Sequence, residues 1–188
     1  VEYLAVAYAD EGVGLRKNGI DTPIMVMSPG INDFNLLIKY NLEPEIYSFS
    51  ILDTFEAFLK RSGIDAYPVH IKIDTGMHRL GFSVRDMEKI VEKFEGTSMR
   101  IVSVFSHLAA SDEKKHDDYT RKQLMMFREF CSNLQKKLGY SFIRHILNTS
   151  GIERFLDAQF EMVRLGIGLY GVSEFAADKV SEISTFKT

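Results

Sequence analysis

Short apolar runs alternate along the chain with stretches in which apolar residues recur every three or four positions. The runs Leu4–Tyr8, Ile24–Met27, Glu45–Phe49, Val69–Asp74, Ile101–His107, Phe142–Asn148 and Met162–Leu165 have the length and flanks of strands. Ser83 and Asp86 have capping-box spacing, and Val84, Met87, Ile90, Val91 and Phe94 form a helical stripe behind them. Leu124, Phe127, Cys131, Leu134 and Leu138 form another, and Gly139 suits its stop. Strands alternating with helices predict an α/β fold around a parallel sheet. Seven strands are one short of a (β/α)8 TIM-type barrel. Because the chain opens on Val1-Glu2-Tyr3 with no Met, the expectation is a piece of a longer protein whose first strand lies upstream. An open doubly wound sheet is the alternative.

In the fourth run Val69, Ile71 and Ile73 alternate with His70, Lys72 and Asp74. A sheet flanked by helices is covered on both faces, so if the apolar set packs under the helices, the polar set points into the barrel. An edge strand with one wet face is the competing reading.

Composition then narrows the class. The chain has 188 residues, with 23 basic and 26 acidic side chains giving a net charge of −3 that is spread rather than blocked. That argues against a nucleic-acid partner, which selects a basic face. At 45% hydrophobic and 26% charged residues the chain is of globular type, not disordered. No apolar run approaches the roughly 18 residues of a membrane span. Cys131 alone cannot build a disulfide framework or a cysteine zinc cage. A cytoplasmic protein is expected.

In a barrel of this type, chemistry gathers where strands end. Those positions carry Asp74 to Gly81, then Ser106 and His107, then Asn148, Thr149, Ser150 and Gly151, and finally Arg164 with Gly166, Ile167 and Gly168. Hydroxyls at a helix start, followed by glycines that let backbone approach closely, make a plausible phosphate site. Arg79 and Arg164 cannot shed their charge and need an anion or lone pair, for which Asp74 and Glu161 are structural candidates. His70, Asp74, His107 and His145 do not share strand ends and parity, so no metal is expected.

These segments resemble the alanine racemase family, fold-type III enzymes that use pyridoxal 5′-phosphate (PLP). The resemblance rests on Val69 to Gly81, which contains K-x-D-T-G-M-x-R-L-G, on Tyr3–Ala7 with Asp10 and Glu11, on Ser106 to Ala109, on His145–Thr149 and on Met162 to Gly171. It implies a partial PLP-binding barrel over residues 1–175, with 176–188 starting the connection to a C-terminal β-domain. Arg164 would face the pyridine nitrogen, and Arg79 the phenolic oxygen and the substrate carboxylate. His107 would pack on the ring and hydrogen-bond towards Arg164. Thr149, Gly166 and Ile167 would hold the phosphate with Asn148 beside them; many relatives have Ser at the position of Thr149. Lys72 corresponds to a lysine that is carbamylated in some members, the resulting anion pairing with Arg79.

The implied activity is interconversion of L- and D-alanine, supplying D-alanine for bacterial peptidoglycan, by a homodimer with shared sites. Some relatives are fused to a cell-wall ligase. The family's PLP-bearing Lys lies in its first strand, and its opposing Tyr base lies in the C-terminal domain of the partner subunit. Residues 1–188 contain neither, so the isolated piece is expected to be inactive. A single-domain PLP-binding homeostasis protein and a racemase for another amino acid are the alternatives.

Overall fold

The computed structural model describes residues 1–171 of the chain; the expected connection at 176–188 lies outside them. Among the described residues seven strands occur in chain order: β1 Leu4–Val6, β2 Ile24–Val26, β3 Glu43–Ile46, β4 Tyr67–Asp74, β5 Phe82–Ser83, β6 Met99–Phe105 and β7 Ile143–His145. Six helices lie between or after them: α1 Ala9–Lys17, α2 Phe34–Lys39, α3 Phe49–Ser62, α4 Met87–Phe94, α5 Asp117–Leu138 and α6 Thr149–Arg154. All pairings are parallel, in the order β1-β2-β3-β4-β6-β7, with β5 a short branch on the end of β4.

That sequential order decides between the two expected architectures. A doubly wound sheet reverses its strand order at a switch point, and the described strands show no reversal. The sheet also curls, because residues 1–5 at one end of the order and residues 162–167 beyond the other end line a single cavity of about 650 Å³. The molecule is a curled portion of a (β/α)-type barrel.

Both faces of β4 are covered, which excludes a wet edge strand. Val69, Ile71 and Ile73 sit in the apolar core with Leu52, Phe55 and Ile90, while His70 and Lys72 are also buried on the opposite face. Local signals set the helix ends. Asp86 accepts from the Ser83 backbone N–H at 2.9 Å, and Gly139 ends α5 in the left-handed region at φ 75°.

Several strand boundaries differ from expectation. The third strand starts two residues earlier and ends at Ile46, because Ser48 is an N-cap whose Oγ accepts from Ile51 N–H, giving Phe49 to α3. The strand expected at Met162–Leu165 does not form a ladder. Its only backbone bond to the sheet among the described residues is Arg164 N–H to the Leu147 carbonyl, at 3.0 Å. Glu161 caps the Arg144 N–H on β7, and Thr149 Oγ1 takes the Gly166 and Gly168 N–H groups, so side chains occupy bonds that a neighbouring strand would make.

Candidate functional site

The cavity at the open seam is lined by β1 residues, by Asn148, Thr149 and Ser150 at the start of α6, and by Met162 to Ile167 with His107 opposite. Arg164 is its most constrained polar group. Its Nη2 donates to the Ser106 carbonyl at 2.6 Å and the Ile146 carbonyl at 3.2 Å, and its Nη1 donates to His145 Nδ1 at 2.8 Å. Burial brings the guanidinium down to about 10, partly offset by Glu45, and it stays charged at neutral pH.

Because arginine only donates, it fixes the protons behind it. His145 Nδ1 must accept, so Nε2 carries the hydrogen and donates to Ser103 Oγ at 3.0 Å. Ser103 then donates to His70 Nδ1 at 2.6 Å, and His70 Nε2 donates to Glu43 Oε2 at 2.9 Å. Tyr3 completes the chain by donating to the same carboxylate oxygen at 2.8 Å. This relay crosses the interior from Tyr3, just ahead of β1, to the 162–167 segment and positions Arg164. Burial first, then the charge of Arg164, holds His145 well below its ordinary value, consistent with a neutral ring.

His107 Nδ1 lies 3.3 Å from Arg164 Nη2. Burial lowers its pKa to about 4, helped by Arg164, Arg79 and Lys72, so it too is a neutral acceptor. Thr149 Oγ1 accepts from Gly166 N–H at 3.3 Å and Gly168 N–H at 3.2 Å, while Asn148 caps α6 through Gly151 N–H at 3.0 Å. At Gly168 a Cβ would lie 2.7 Å from Thr149 Cγ2, so any larger residue would have to displace the Thr149 side chain. At Gly166 the same test meets open space. Thr149, Gly166, Ile167 and Asn148 therefore form one small polar cradle.

Arg79 is exposed in the loop between β4 and β5 and has no hydrogen-bond or ion-pair partner among the described residues. The two carboxylates considered for the arginines are used elsewhere. Glu161 pairs with Arg144, and Asp74 caps the Gly76 and His78 N–H groups. Lys72 is buried with its Nζ 3.0 Å from Glu45 Oε1. The four residues weighed for a metal are bound to different neighbours: His70 and His145 belong to the relay, Asp74 caps its loop, and His107 meets Arg164.

Sequence reasoning missed Glu45 and the Ser103–His145 link. Glu45 was placed at the first position of its strand, where a carboxylate reads as solvated, yet it lies fully buried in the middle of β3. No spacing along one strand points to it, because its contact with Lys72 depends on the β3–β4 register.

The family model described as "Alanine racemase, N-terminal domain" matches residues 1–174. The chain belongs to the alanine racemase family. An alanine racemase of Treponema denticola is 34% identical over 175 residues, covering 91% of this chain and 46% of that protein. Alanine racemase 1 of Clostridium acetobutylicum is 37% identical, covering 89% and 44%. The solved alanine racemase of Clostridium difficile 630 superposes with a TM-score of 0.87 at 32% identity, covering 97% of this chain and 48% of that one. The chain thus spans about half the length of the alanine racemases it matches.

Proposed function

We propose that this chain is most of the PLP-binding barrel of an alanine racemase that interconverts L- and D-alanine. One observation carries the reading: a buried, permanently charged arginine, aimed by a relay of neutral histidines, shares a cavity wall with a hydroxyl-and-glycine cradle. The fit to the cofactor follows from that donor set. The cradle of Thr149, Gly166 and Ile167, with Asn148 beside it, would hold the phosphate through backbone N–H groups and a hydroxyl. Arg164 would face the ring nitrogen, His107 would pack against the ring, and Arg79, unpaired at the mouth, would meet the phenolic oxygen and the substrate carboxylate.

Bound PLP supplies a conjugated ring that draws electrons from the substrate α-carbon and eases loss of its proton. Arg164 tunes that property. Its N–H groups and charge require the ring nitrogen to accept, which keeps a proton off it and limits the electron draw. His145 accepts from Nη1 and keeps the guanidinium from turning away. Racemisation needs a base on each face of the α-carbon, and we place both outside residues 1–188, on an upstream lysine and a partner subunit's tyrosine. The active unit is then a homodimer of the longer protein.

The test is D-alanine formation from L-alanine by the whole polypeptide containing this chain, with PLP, beside residues 1–188 alone. Turnover by the former and none above free PLP by the latter supports the reading. Failure of the whole protein to bind PLP contradicts it.

A further inference from the structure

In the parallel β3–β4 pairing, Glu45 lies directly opposite His70, which makes Lys72, two residues along β4, its diagonal neighbour on the same face. The two side chains meet at 3.0 Å inside the barrel, and Glu45 has no accessible surface. Neither carboxylate oxygen receives a hydrogen bond from any other described group, so the Lys72 ammonium is the contact that explains a carboxyl at this position.

Cations surround that pair. Arg164 and Arg79 both act on Glu45 through their charge, and the Phe105 ring lies 5.4 Å from Lys72 Nζ and 5.3 Å from the Arg164 guanidinium carbon. Burial pushes Glu45 up to about 7 while Lys72, Arg164 and Arg79 pull it back. Without Glu45 the interior would hold like charges with no counter-ion, the situation in which a carbamate on Lys72 is useful.

We infer that Glu45 is the resident counter-anion of the barrel interior, and that it keeps Lys72 as an unmodified ammonium. Carbamylation joins a neutral amine nitrogen to the carbon of carbon dioxide, with loss of one proton. A lysine whose lone pair carries a proton held by a carboxylate at 3.0 Å cannot take that step, and the anion that the step would create is already present. The site then works without carbon dioxide. This goes beyond the proposed function, and its readout is Lys72 itself.

The test uses the whole polypeptide with PLP at about pH 8.5, where Glu45 is ionised, equilibrated with 13C-bicarbonate, and records its 13C spectrum. The native protein is expected to show no carbamate resonance. Glu45→Gln, which keeps the shape and removes the charge, is expected to acquire one that disappears again when Lys72→Arg is added. A carbamate resonance near one equivalent in the native protein overturns the inference, as does its absence from a folded Glu45→Gln. Should that variant not fold, 15N-lysine labelling of the native protein decides, with Lys72→Arg assigning the signal: an ammonium supports the inference, and a carbamate or neutral amine overturns it. Loss of PLP binding would instead count against the cofactor reading.

Discussion

At the scale of single residues, Arg164 is held by the Ser106 and Ile146 carbonyls and by the His145 ring. The relay behind it depends on Ser103, which receives from His145 and gives to His70. Ser103→Ala strands one buried donor and one buried acceptor, so a loss of about 2–3 kcal/mol is expected. Urea unfolding of the whole protein measures it. A loss below about 0.5 kcal/mol would mean that the relay does not support the fold. Thr149 makes the second residue-scale prediction. Thr149→Val removes the hydroxyl that gathers the Gly166 and Gly168 N–H groups, and PLP affinity should fall by about tenfold, equivalent to about 1.4 kcal/mol. Equilibrium dialysis against PLP reads it, and unchanged affinity would remove Thr149 from the phosphate cradle.

At the scale of elements, two glycines with left-handed backbone separate conformation from contact. Gly139 ends α5 at φ 75° with open space around it, so Gly139→Ala should cost only about 1 kcal/mol. Gly81 has φ 127°, and a Cβ there would lie 2.7 Å from the Asp74 backbone nitrogen and 2.9 Å from the Ile73 carbonyl carbon. Gly81→Ala must push the β5 branch off β4, and a cost of at least about 3 kcal/mol is expected. Equal costs in thermal unfolding would contradict this account of the loop.

The same elements show what was legible in the sequence. The alternation in Val69–Asp74 fits either a strand buried on both faces or a wet edge, and the cover on both faces selects the first. The stripes of α4 and α5 and the stop at Gly139 were legible from spacing alone. The extent of β3 was not, since Glu43 and Pro44 look like loop residues and Tyr47 to Phe49 continue the apolar run past the N-cap at Ser48. Nor was the irregular course of 162–165, where an apolar run has strand composition but tertiary side-chain bonds satisfy its backbone. The arginines and the polar cradle were legible as residue types at strand ends. What joins them, the path through His145, Ser103 and His70, depends on register between β4, β6 and β7, which spacing along one strand does not report.

For the whole molecule, the buried titratable groups make stability depend on pH. His107 has its pKa depressed from 6.5 to about 4, and His145 is shifted the same way. Unfolding below pH 6.5 therefore takes up protons. The stability His107 contributes is complete above about pH 6.5 and is lost as pH falls towards 4, and His145 acts in the same direction. Glu45, raised from 4.5 to about 7, acts in reverse: its contribution is present below 4.5 and is lost as pH rises through 7. Two histidines against one carboxyl give a net decline on acidification between pH 6.5 and 4. Denaturant midpoints across that range should show the decline, and His107→Gln should flatten it. An unchanged slope in that variant would place the titration elsewhere.

One charge state governs the proposed chemistry. Arg164, charged and anchored to the Ser106 and Ile146 carbonyls and to His145, has only N–H groups to offer the coenzyme. The most direct measurement is the 15N spectrum of the whole protein loaded with PLP labelled at its ring nitrogen. An unprotonated pyridine nitrogen across the neutral pH range is the predicted result, and a protonated pyridinium would contradict it.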